Sequence, residues 1–220
     1  MTDEKTFRKT VPAATEVASA ATAIEPSTVD FAMLEPRDQL KTLLQAEMKD
    51  KPFSELASVT FDHRGASVVG HILLDTLEEA GYSVDDVDAV GALTAAAVPL
   101  VSAMIQAEAS RGEDLHGFVM DFVYPSIKGP SITGKRVVLP DSWLSEKSYV
   151  QTSSLVTLRN GNELRLDFSV VEREGAEVLA VASLIGGGDM IHPTIKVVNP
   201  VSGDESELPF IEVYKESELH

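Results

Sequence analysis

The sequence predicts an α/β protein: a central, mostly parallel sheet with helices on both faces, an inserted β-hairpin and short C-terminal strands. Three observations predict the class. Apolar runs of strand length occur without clear alternation, amphipathic segments at helical spacing lie between them, and glycine or proline marks the joints. A chain of 220 residues accommodates one principal domain. Residues 1–30 read as an N-terminal arm, because ATEVASAATAIEPSTVD has no sustained period, and residues 31–220 as the domain.

From Pro36, PRDQLKTLLQAEMKD sets Leu40, Leu43, Leu44 and Met48 on one helical face behind a proline start. Ser58 to Asp62, SVTFD, alternates as a short strand, and after His63-Arg64-Gly65 a helix is expected over Ala66–Glu79. Val69, Ile72, Leu73 and Leu77 form its stripe, and Gly81 closes it. Val87–Thr94 reads as a buried strand, Ala95–Ser110 as a helix, His116–Tyr124 as a second strand and Lys135–Asp141 as a third after the turn-like PSIKGPSITG. Leu155, Val156 and Leu158 before Asn160-Gly161, and Leu164, Leu166 and Phe168 after it, predict a hairpin insertion over about 153–169 with a two-residue turn. Val178–Ile185 is the next strand, followed by Gly186-Gly187-Gly188 as a connector. PTIKVVNP and PFIEVY supply short strands placed at a sheet edge by their prolines.

Net charge is −17, from 35 acidic and 18 basic residues, a field that repels nucleic acid and anionic membrane and opposes a polyphosphate substrate. The apolar stretch Ala95–Ala109 is broken by Pro99, Ser102, Gln106 and Glu108 and falls short of the roughly 20 residues a bilayer requires. No signal-like start is present, so cytoplasm is the expected location. The absence of cysteine excludes disulfides and thiolate chemistry.

Four strings, in order, resemble orotate phosphoribosyltransferases over Phe61–Ile185: FDHRGASVVGHILLDTLEEAG, VDAVGALTAAAVPLVSAM, LHGFVMDFVYPSIKGPSITGKRVVLPD and EGAEVLAVASLI. The resemblance implies the type I phosphoribosyltransferase fold, dimer formation and a place in pyrimidine nucleotide metabolism. It also implies three substrate-binding elements, and this sequence departs from the family at each. Where the family carries two adjacent acids and a Thr/Gly-rich phosphate loop, the chain has Asp141, Ser142, Trp143, Leu144, Ser145, Glu146 and Lys147, with no glycine. A phosphate cradle needs converging N–H groups and a backbone that glycine provides at little cost. At the pyrophosphate loop the family's Leu-Gly-Ala-Asp is replaced by Ala95, Ala96, Ala97 and Val98 after Thr94. Where the family has an Arg-Lys pair, the chain has Asp121 and Phe122, with Lys128 the one basic residue nearby.

Loss of one preorganised cation or donor costs about 10²–10³ in rate, so three such losses predict a non-catalytic relative with no catalytic residues. That relative binds a protein, its own copy or another ligand, and needs no cofactor. The alternative is a divergent phosphoribosyltransferase using magnesium, Asp141, Asp121 and Lys128. Trp143 either plugs the vestigial pocket or stacks on a different ligand. His63 and Arg64 are expected in a solvent-facing turn and His71 on a helix surface, while His116 and His192 suggest no metal site. Lys135-Arg136 read as solubilising charges, and Asp85, Asp86 and Asp88 as a helix-to-strand turn.

Overall fold

Helix and strand alternate along the chain in the computed structural model, which describes residues 30–49, 56–121, 126–145, 156–159, 163–166, 169–187, 194–198 and 203–220. The order is α1 (Pro36–Met48), α2 (Ala57–Thr60), α3 (His63–Glu79), β1 (Ala89–Ala92), α4 (Val98–Arg111), β2 (His116–Asp121), β3 (Ser126–Lys128) and β4 (Arg136–Ser145). The hairpin strands β5 (Val156–Arg159) and β6 (Glu163–Leu166) follow, then α5 (Ser169–Arg173), β7 (Glu177–Gly187), β8 (Thr194–Val198) and β9 (Glu205–Lys215). The strands form one sheet in the order β3-β2-β1-β4-β7-β9-β8-β6-β5. Strands β2, β1, β4, β7 and β9 run parallel, β3 is antiparallel to β2, and the hairpin with β8 makes a wing of mixed direction.

Two cores flank the sheet. On one face Leu40, Leu44, Leu73, Leu100 and Met104 from α1, α3 and α4 meet Val90, Val138, Trp143 and Leu184. On the other, Val170 and Val171 of α5 and Ile132 cover Leu93, Phe118, Leu139, Leu144, Val181 and Phe210. The predicted stripes of α1 and α3 are the buried ones. Gly81 (φ +94°) and Gly112 (φ +83°) adopt the left-handed backbone past α3 and α4, a conformation that favours glycine at helix ends. No described helix is long and apolar enough to cross a membrane.

Several expectations need correction. Ser58–Asp62 is not a strand: Ala57–Thr60 forms the helical turn α2, and the Asp62 side chain caps α3 by accepting from the Arg64 N–H at 2.8 Å. The Leu56 carbonyl accepts from Val59 and Thr60, both at 2.9 Å, so local bonds satisfy the backbone without a ladder partner. The alternation misled because Phe61 is 76% exposed rather than buried. The turn-like segment after β2 contains β3, and α5 went unpredicted. In the hairpin Arg159 pairs with Glu163, leaving three residues between the paired ends instead of two; Asn160 and Gly161 themselves lie outside the described residues, as do 1–29, Gly188 and His192.

The β9 strand is interior, not an edge. Glu205–Pro209 pair antiparallel with β8, whereas Phe210–Lys215 pair parallel with β7. Pro209, which lacks an N–H, falls at the seam where β9 exchanges one partner for the other, so the missing donor interrupts little of either ladder.

At the N-terminal edge of the sheet, Arg136 does more than solubilise. Its backbone N–H and Nε donate to Asp88 Oδ2 at 2.8 and 3.2 Å, and Nη2 donates to the Asp85 carbonyl at 2.6 Å, which staples β4 to the turn before β1. Asp86 closes that turn by accepting from Ser83 N and Oγ at 3.0 and 2.6 Å.

Candidate functional site

Strand order reverses at β1: β2 lies on one side of it and β4 on the other. In open parallel sheets the crevice beyond the strand C-termini at such a point is where ligands bind. Thr94, just past β1, and Asp141, in β4, meet there. Thr94 Oγ1 donates to Asp141 Oδ1 at 3.0 Å, and the Ser142 backbone N–H donates to the same oxygen at 2.6 Å. All three residues are buried, with Asp141 only 2% exposed. Ala95–Ala97 form a short 3-10 turn in which Ala97 N donates to the Thr94 carbonyl at 3.1 Å, and Val98 begins α4.

The residues Trp143–Ser145, expected in a loop after a strand ending at Asp141, are instead the end of β4. It remains paired with β7 through Asp141↔Ser183, Trp143↔Ile185, Leu144↔Gly186 and Ser145↔Gly187. The reason is packing. Val137, Leu139 and Leu144 reach one core while Val138 and Trp143 reach the other, so the alternation changes phase between Leu139 and Trp143. Both large side chains thereby find an apolar layer, Trp143 at 3% exposure and Leu144 at 0%, and nothing in the stretch favours turning away from the sheet. Gly186 and Gly187, expected in a connector, belong to β7 and supply its share of this pairing. Glu146 and Lys147 lie outside the described residues.

The register also exposes residues that sequence reasoning missed. Asp141 is level with Ser183, and Ser183 with Glu212, so a polar row crosses β4, β7 and β9. Ser183 Oγ donates to the Ile185 carbonyl at 2.6 Å. Glu212 lies over Gly186, where a Cβ would come within 1.8 Å of Glu212 Oε2. Burial pushes the Glu212 carboxyl above the usual glutamate range, and Lys215 partly opposes that shift. The glycine pair after the apolar run of β7 was the available signal, and it could not identify its cross-strand neighbour.

The remaining candidates are distributed elsewhere. Lys128 Nζ and Asp121 Oδ2 are 3.8 Å apart across β3 and β2, with β1 between them and β4; Phe122 lies outside the described residues. His63 is 89% exposed in the first turn of α3. Arg64 is held by Asp62 in a two-point pair, Nε to Oδ1 and Nη2 to Oδ2 each at 3.0 Å, with its guanidinium 5.3 Å from the Phe31 ring centroid. Hydrogen bonding from Arg64 holds the Asp62 carboxyl down at about 2. Among the described residues, no group of three His, Asp or Glu is placed to hold a metal ion.

No family model matches the chain. Over 189 residues it is 28% identical to an orotate phosphoribosyltransferase of Streptomyces coelicolor, covering 81% of this chain and 87% of that protein. The Streptomyces avermitilis orotate phosphoribosyltransferase is 28% identical over 178 residues, covering 76% of this chain and 87% of the relative. In structure, the Mycobacterium tuberculosis orotate phosphoribosyltransferase solved with 5-phospho-α-D-ribosyl 1-diphosphate superposes with a TM-score of 0.56 at 19% identity, covering 84% of this chain and 99% of that one. A phosphoribosyltransferase from Corynebacterium diphtheriae gives 0.53 at 21% identity, with coverages of 84% and 99%. In sequence the chain is thus similar to orotate phosphoribosyltransferases, and it shares their fold.

Proposed function

We propose that the chain is a non-catalytic, orotate phosphoribosyltransferase-like binding protein that has lost the phosphoribosyl pyrophosphate site. The observation that carries this reading is the continuation of β4 from Asp141 to Ser145 in register with β7. A phosphate nest needs several amides turned toward one point; a ladder holds successive amides on opposite sides of the strand. Asp141 is the one carboxylate where the family has two. It is buried beside Thr94 and Ser142, so it fits poorly as a holder of a solvated magnesium ion, which keeps several of its waters. The net charge of −17 adds repulsion toward a polyphosphate.

A second reading, a divergent phosphoribosyltransferase with magnesium, draws support from the Lys128–Asp121 pair beyond β2, which offers one cation on that flank. The two readings separate in an assay of pyrophosphate release from phosphoribosyl pyrophosphate with orotate and magnesium. No release above the protein-free rate is expected, and turnover that tracks enzyme concentration would establish the second reading. The binding role extends to self-association in the cytoplasm, with neither nucleic acid nor membrane as a partner.

A further inference from the structure

Between the last turn of α3 and strands β8 and β9 an open cleft encloses about 420 Å³, within the range of roughly 300–1,000 Å³ common to small-molecule sites. Thr76, Glu79 and Tyr82 form one wall, and Thr194, Pro209 and Ile211 form the floor. The alternation of β9 explains that floor. Phe210 joins the core under α5 while Ile211 packs toward α1 and α3, so Pro209 and Ile211 turn to the cleft, and Phe210 and Glu212 turn to the other face. Thr194 is level with Pro209 and shares its face. The cleft lies at the end of α3 that leads into β1, whereas Thr94 lies past the far end of β1 and Asp141 meets it there.

The rim is acidic. Arg37 Nη1 lies 3.5 and 3.3 Å from the two oxygens of Glu79, and a carboxylate has about four acceptor sites, so most of them stay open to the cleft. The other arm of Arg37 is committed as well, with Nη2 donating to Thr76 Oγ1 at 3.2 Å. On the strand side Thr194 Oγ1 donates to Glu207 Oε1 at 2.7 Å, which holds a second carboxylate behind the floor. Helix α3 has no basic residue in its last turn, and the negative end of its dipole favours a cation there. Tyr82 adds an aromatic ring, a further preference for positive charge. We infer that the cleft binds an organic cation, a protonated amine on an apolar body, with its ammonium drawn to Glu79 and Tyr82 and its body on Pro209 and Ile211. The site is separate from the one whose loss is proposed above, so turnover of phosphoribosyl pyrophosphate and binding of an amine can each fail alone.

Saturation-transfer NMR with 2-phenylethylammonium at about 0.15 M salt, where distant surface charges are screened, tests the inference. A saturable isotherm with dissociation in the millimolar range is expected, since exposed ion pairs and cation–π contacts each contribute modestly. 3-Phenylpropionate, similar in shape and opposite in charge, should bind roughly tenfold more weakly. Glu79→Gln, a change at an exposed position, should weaken the amine about threefold. Thr194→Lys, which plants a competing ammonium in the cleft, should abolish binding. Glu172→Gln removes the same charge from α5 on the other face of the sheet and should leave the isotherm unchanged. No saturation in the parent, equal affinity for the two probes, or equal losses in Glu172→Gln and Glu79→Gln would overturn the inference.

Discussion

Gly186 can take no side chain while Glu212 keeps its place, because the first added carbon would sit 1.8 Å from the carboxylate. Gly186→Ala is expected to destabilise the protein by about 1–3 kcal/mol through overpacking. Glu212→Gly in the same chain should offset part of that loss, since the three nearest atoms, Oε2 at 1.8 Å and Cβ and Cδ at 2.8 Å, all belong to that side chain. Urea unfolding of the two single variants and the double variant measures the coupling; additive losses would mean that the backbone of β7, rather than Glu212, rejects the methyl group. Asp62 makes a pH prediction at the same scale. Its carboxyl lies at about 2 in the folded chain against 3.8 ordinarily, so it binds protons more readily when unfolded. Its contribution is complete above the ordinary value and disappears as pH falls from about 4 to about 2. Arg64 is partly exposed, so solvent screening limits the effect to less than about 1 kcal/mol. Asp62→Asn should therefore lower stability at pH 7 and converge on the parent near pH 2, and a gap that persists at pH 2 would show that the loss does not come from the carboxylate's charge, since asparagine keeps the capping acceptor.

At the scale of elements, α3 and α4 are locked by close approach and by charge. Arg111 reaches Asp75, lies 3.0 Å from Glu78 and 3.9 Å from Glu108, and so bridges the two helices. Glu108 is 3% exposed, and desolvation is the main cause that raises its carboxyl above the usual range, with Arg111 opposing. A raised carboxyl contributes stability when protonated, so this contribution is present below the ordinary glutamate value and is lost as pH rises through the folded one. Glu108→Gln should therefore gain in stability relative to the parent as pH is raised from 4 to 7. Thermal unfolding at the two pH values checks it. A variant that loses ground at pH 7 would show that the Arg111 ion pair outweighs desolvation. Gly70 lies where a Cβ would come 2.2 Å from the Ala103 carbonyl, so the helices cross in contact and the charge network sits on a fixed spacing.

For the molecule as a whole, the parallel sheet was legible because its strands are buried on both faces, which writes itself into the sequence as unbroken runs such as Val178–Ile185. Helix α3 was legible for the opposite reason: Val69, Ile72, Leu73 and Leu77 face one layer only. What escaped depends on partners far along the chain. SVTFD has the alternation of a strand, yet a strand exists only where a neighbour offers a ladder, and Asp62 captures the segment for a helix cap. VVLPDSWLS gives no sign by itself that it stays in the sheet, since that depends on Gly186 and Gly187 some forty residues later. The site was legible at Thr94 and Asp141, which local strings supply. Ser183 and Glu212 were not, because register alone aligns them.

The central claim is that β4, held in the sheet to Ser145, leaves no nest for a sugar phosphate. Trp143, the sole tryptophan and two residues past Asp141, reports on that place directly. Titration of the whole protein with phosphoribosyl pyrophosphate in the presence of magnesium, followed by tryptophan emission, is predicted to give a flat response apart from dilution. A saturable change at one equivalent per chain, abolished by chelating the magnesium, would contradict the account.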